Sequence, residues 1–152
     1  MNGAALKMKN VGAIFEYEEE RNMDLMRAYR EQLASHENKD IQSVFNRVVE
    51  MPSKRFWVSE ERAAIVISEM IRGKGLKIKG KVKREMYHEI FRRVNGLKEK
   101  HPDKSVYDLT FMVVTGPAPK FYLTPGSAKV IIHKVKKQWY EERKRKLQHC
   151  LW

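Results

Sequence analysis

Val48-Val49-Glu50-Met51-Pro52-Ser53-Lys54-Arg55-Phe56-Trp57-Val58-Ser59 returns sixty-five residues later as Val113-Val114-Thr115-Gly116-Pro117-Ala118-Pro119-Lys120-Phe121-Tyr122-Leu123-Thr124. In the same register, Arg27, His36, Lys39, Ala63 and Ile67 fall on Arg92, His101, Lys104, Ala128 and Ile132. Conservative matches fill the spaces between: Ile41 on Val106, Val44 on Leu109, Ile65 on Val130 and Val66 on Ile131. A register kept through a proline, an aromatic pair and the apolar positions beyond it points to internal duplication of one small module.

The repeated stretch also dictates local structure. Pro52 and Gly116-Pro117 stop the helices before them. The aromatic segments that follow are too short for helices and read as extended connectors. Ser59 is a good N-cap with Glu60 and Glu61 in the first turn behind it, and Thr124-Pro125 is a capping hydroxyl before a proline at the first helical position. Upstream, Met23, Met26, Tyr29 and Leu33 recur at helical steps, and Ile41, Val44, Phe45 and Val48 mark a shorter helix. The second copy follows with Ile90, Phe91, Val94 and Leu97, then Val106, Leu109, Phe111, Met112 and Val113. Its third helix carries Val130, Ile131, Val135, Trp139 and Tyr140, and is expected to be the longest. In the first copy, Ala63, Ala64, Val66, Ile67, Met70 and Ile71 form the corresponding apolar side, and Gly73 ends it.

The expectation is an all-α chain: a flexible lead over residues 1–15, a three-helix repeat over 16–73, a Lys-rich connector over 74–84 and a second repeat over 85–148. The repeats either share one core or stand as separate beads, and neither has apolar residues to spare on its own. The connector Lys74–Arg84 alternates lysine with apolar residues or glycine. It reads as a strand, a wing or an irregular strap, with two glycines arguing against the strand.

At 152 residues with 42% hydrophobic and 33% charged residues, the chain can fill a core under a highly charged surface. The lone Cys150 leaves no internal disulfide. With no apolar leader and no run long enough for a membrane span, a cytoplasmic protein without membrane contact is expected. The net charge of +12 is unevenly spread. Residues 20–73 balance at zero, 74–84 carry +6, 85–138 carry +5 and 139–152 carry +2. The copies agree in shape-determining residues and differ in charge. This suggests a neutral copy for packing or partner contact and a basic copy facing a polyanion.

Three helices with a turn between the second and third resemble helix-turn-helix DNA-binding domains, and two in tandem resemble the Myb-like arrangement, without its regularly spaced tryptophans. The resemblance implies nucleic-acid binding. The residues expected to carry it are Lys77, Lys79, Lys81, Lys83 and Arg84 of the connector, and Lys120. In the third helix of the second copy they are Ser127, Lys129, His133, Lys136 and Lys137, followed by Arg143, Lys144 and Arg145. Lysines neutralise phosphates without reading bases, so modest sequence specificity is expected, with DNA favoured over RNA. The alternative is an assembly module, self-associating or binding an acidic partner through the first repeat, with Trp57 as a contact.

The aromatic pairs Phe56-Trp57 and Phe121-Tyr122 read first as core and second as a stacking platform for bases. His101-Pro102-Asp103 is similar to the tripeptide of J-domains. However, His36-Glu37-Asn38 holds the same place in the first copy, so the histidine belongs to the repeated turn. No His/Cys/carboxylate spacing suggests a metal, no glycine loop suggests a nucleotide and no nucleophile motif is present. No cofactor and no catalysis are expected.

Overall fold

The computed structural model describes residues 2–35 and 40–150, with side chains from Tyr17 onward. Among them are six helices: α1 (Asn2–Ala34), α2 (Ile41–Val49), α3 (Glu60–Ile71), α4 (Lys81–Lys100), α5 (Val106–Val114) and α6 (Pro125–Cys150). The chain is all-α, and no described helix is long and apolar enough to cross a membrane. The turn His36-Glu37-Asn38 and Lys39 lie outside the described residues.

Helix boundaries follow the local chemistry closely. Ser59 accepts the Arg62 amide at 3.0 Å and Ser105 accepts the Asp108 amide at 3.1 Å, each satisfying one orphan donor of a helix start. α3 ends in a Schellman turn: Lys74 N–H reaches Glu69 O at 3.0 Å and Gly73 N–H reaches Met70 O at 3.1 Å. Gly73 takes φ 81°, which a side chain would resist. His101 caps α4 by donating its amide to Leu97 O at 2.8 Å.

Four expectations are corrected. α1 begins at Asn2, where a flexible lead to residue 15 was expected, and its 33 residues make it longer than the 26-residue α6. α4 starts at Lys81, so Lys81, Lys83 and Arg84 sit in its first turn, and only residues up to Gly80 form an irregular strap. Met23, Leu33, Ile41, Phe111, Met112, Val130 and Tyr140, all counted as apolar-side residues, are exposed. Their neighbours Leu25, Ala28, Thr110 and Val114 are buried instead. Helical periodicity identifies a stripe but leaves its edges ambiguous, and packing decides which edge is covered.

The helices do not group in chain order. One compact unit comprises residues 1–48 and 125–152, which brings α1 and α2 together with α6. The other, Val49–Thr124, contains α3, α4 and α5. The third helix of each sequence repeat therefore packs with the first two helices of the other. In the first unit, Tyr29 of α1 stacks on Phe45 of α2 with ring centroids 5.8 Å apart, and Ala128, Ile132 and Val135 are the buried side of α6. In the second, Phe56, Ile67, Ile90, Val94, Leu109 and Val114 are fully buried in one apolar cluster. Burying each such side chain contributes roughly 1.5–3 kcal/mol.

Both aromatic connectors belong to the second unit and meet there about a local two-fold. Ser53 and Ala118, equivalent positions of the repeat, exchange N–H···O bonds of 3.1 Å in an isolated antiparallel bridge. On either side, Phe56 N–H donates to Val114 O at 3.0 Å and Phe121 N–H donates to Val49 O at 3.1 Å. These four bonds satisfy buried backbone groups that no helix serves. Phe56 and Phe121 are buried, and Phe56 stacks on Tyr122 at 5.9 Å. Tyr122 adopts φ 57°, a left-handed conformation that costs a non-glycine residue about 1–2 kcal/mol. The Phe56–Tyr122 stack is thus part of the core.

Candidate nucleic-acid interface

Most of the charge of α6 is exposed and outside any ion pair among the described residues. Its buried side is small, and beyond Val135 no residue is buried, although Trp139 is half-covered with Arg30 of α1 5.0 Å above its ring. Lys129, His133, Lys137, Tyr140 and Lys144 recur at steps of four, four, three and four, so they share one helix face. All five are exposed, Tyr140 by 68%. The acids of this helix, Glu141 and Glu142, instead line a groove along the α1–α6 seam with Glu18 and Glu19. Lys134 and Arg145 line the same groove, and Glu141 follows Lys137 by four residues, so the acids sit at the border of the basic face.

Within this face the expected residues differ in their environments. Lys129, Lys137 and Lys144 are exposed and form no ion pair among the described residues. His133 rests edge-on to Phe45 at 5.9 Å, so its ring also packs against α2. Lys136 turns toward α1, donating to Tyr29 Oη at 3.0 Å, with its ammonium 4.9 Å from that ring centroid. Arg145 lines the carboxylate-rich groove, while Arg143 is exposed. Ser127 is exposed near the helix start and has an interaction of its own. Lys134, absent from the expected set, is exposed and lines the same groove as Arg145; the repeated run of lysines was the signal that could have included it.

The remaining expected residues lie in the second unit. Lys77 and Lys79 are exposed, whereas Leu76 and Ile78 pack against the apolar cluster, so the strap alternates faces as an extended segment should. Lys81 and Lys83 continue the exposed basic run in the first turn of α4. Arg84 does something else: its Nη1 donates to Leu76 O at 3.0 Å and to Ile78 O at 2.8 Å. Lys120 is engaged by carboxylates, 3.1 Å from Glu85 and 3.9 Å from Glu50, and the hydrogen bond to Glu85 raises its pKa. Trp57 is half-buried beneath the Arg55 guanidinium, 5.4 Å from its ring.

Sequence reasoning overlooked one repeated pair. Arg27 bonds Asp24 at 2.8 Å, and sixty-five residues on Arg92 bonds Glu89 through the same i,i+3 geometry. The signal was present, since an acid precedes each repeated arginine by three residues. Among the described residues, no group of three or more His, Cys, Asp or Glu side chains is placed to hold a metal ion. No protein-family model matches the chain, and neither a curated protein nor a solved structure matches it.

Proposed function

We propose that this is a non-catalytic nucleic-acid-binding protein whose main contact is the outer face of α6 and whose target is duplex DNA. The observation that carries the reading is that α6 holds eight lysines and arginines, none in an ion pair among the described residues. Elsewhere Arg27, Arg55, Arg92, Arg93 and Lys120 all have carboxylate partners. Unpaired cations can neutralise phosphates and release counterions without first breaking a protein contact. A helix about 10–12 Å across matches a B-form major groove about 12 Å wide, whereas the A-form groove of RNA is too narrow to admit it. Lysine contacts mainly track the backbone, so specificity is modest.

The test is fluorescence anisotropy against duplex DNA, single-stranded DNA and structured RNA, each over a range of salt. Lys129, Lys137 and Lys144 changed together to alanine should weaken duplex binding at least tenfold. The log–log salt slope should fall by about 2.7, three phosphate contacts at about 0.9 each. Unchanged affinity and slope would remove α6 from the interface, and preference for RNA would remove the choice of duplex DNA.

One observation favours a second reading, a protein-interaction module. Tyr107 and Phe111 lie one turn apart on α5 and are exposed together with Met112. Light scattering separates the readings: a stable oligomer with no nucleic-acid affinity supports assembly.

A further inference from the structure

The strap between α3 and α4 carries a second inference, which rests on the reading that the protein binds nucleic acid. Arg72, Lys74, Lys77, Lys79, Lys81 and Lys83 follow one another with no acidic residue between them. All six are exposed. Three of them, Lys74, Lys77 and Lys79, lie on the strap itself between the helix-borne charges, and like charges at that spacing repel one another, so the strap needs something to hold it. Two features hold it. Leu76 and Ile78 are packed against the apolar cluster of the second unit, and a single Arg84 nitrogen bonds both of their carbonyls. With residues 76 and 78 fixed, the alternation of an extended backbone sends Lys77 and Lys79 outward, about 6.6 Å apart for two residues of strand.

We propose that this strap is a phosphate-tracking edge distinct from α6, and that Arg84 is its positioning residue and not a phosphate ligand. The partner chemistry is the sugar-phosphate backbone of duplex DNA, which the lysines follow without reading bases. The sequence alone places Arg84 in the same class as its lysine neighbours. The structure separates them, because a guanidinium bonded to two carbonyls is committed where an exposed ammonium is free.

The 152-residue chain is titrated onto a duplex of random sequence, about 20 base pairs long, at several salt concentrations. Lys77 and Lys79 changed together to alanine should weaken binding about three- to tenfold and lower the salt slope by about 1.8, two contacts' worth. Arg84→Lys preserves the formal charge yet cannot bridge both carbonyls in the same way. It should lose a comparable share of affinity, and trypsin should cut after Lys77 and Lys79 several times faster than in the parent. A purely electrostatic role predicts no change in either measurement for Arg84→Lys. Parental affinity in Arg84→Lys overturns its positioning role. An unchanged slope in the double alanine variant overturns the strap as a contact while leaving α6 intact. A parent chain that binds no duplex overturns both this inference and the reading beneath it.

Discussion

α3 and α6 begin at the same point of the repeated sequence, and they have become opposite kinds of helix. Each buries an alanine and an isoleucine at matching positions, Ala63 with Ile67 and Ala128 with Ile132, all fully buried. From that shared anchor α3 stays short, at 12 residues, and packs against both α4 and α5. Its entrance is closed by Arg55 and Glu60, 2.9 Å apart, and its first turn is acidic. α6 has Pro125-Gly126 where α3 has Glu60-Glu61, and it runs on for fifteen residues after Val135. The comparison teaches that the core anchor was kept while the surface was free to change. A helix longer than its packing requires, with its cations outside any ion pair among the described residues, is where function is to be sought.

The harshest way to break this comparison is at the anchor. Ile67→Ala and Ile132→Ala should each cost roughly 2–5 kcal/mol, read as a lower midpoint in urea. If the anchors are equivalent the two losses will be similar, and a loss confined to one would show that the helices do not carry equal structural weight. Next comes a charge transplant onto the enclosed helix. Glu60→Lys with Glu61→Lys should raise duplex affinity by less than threefold, because α3 is not presented as α6 is; a tenfold gain would show that charge alone separates them.

A smaller effect is expected at the cap. Ser59→Ala should destabilise by about 1 kcal/mol, since it frees the Arg62 amide while leaving DNA affinity unchanged. The smallest effect concerns the repeated acid–arginine pair. The hydrogen bond from Arg92 holds the Glu89 carboxyl below its ordinary pKa, so its contribution is present above the unfolded value near 4.5. It disappears as pH falls through the lower folded value. Glu89→Gln should therefore melt below the parent at pH 7, and the gap should shrink below about pH 4.5. A gap unchanged down to pH 3 would rule out the ion pair as its source.

Much of this was legible in residues. Pro52, Ser59, Gly73, Gly116-Pro117 and Thr124-Pro125 placed helix ends within a residue or two, because caps and stops act over a few bonds. The burial of Phe56 and Phe121 followed from their repetition beside a drifting partner. The lysines of the candidate interface could be named but not sorted. Whether an ammonium meets a carboxylate, as Lys120 does, or a tyrosine hydroxyl, as Lys136 does, depends on residues 35 and 107 positions away.

By itself, the sequence determined that the chain is helical, where several of its helices stop and that its positive charge lies from residue 74 onward. Only the tertiary structure decided which helices keep company. The third helix of each repeat packs with the first two of the other, and equivalent connectors cross at Ser53 and Ala118. The physical reason is that burial of apolar surface has no preferred direction along the chain. Because the repeats carry near-identical anchors, either third helix offers much the same apolar face to either helix pair, and no residue pattern in one strip of sequence distinguishes the two arrangements.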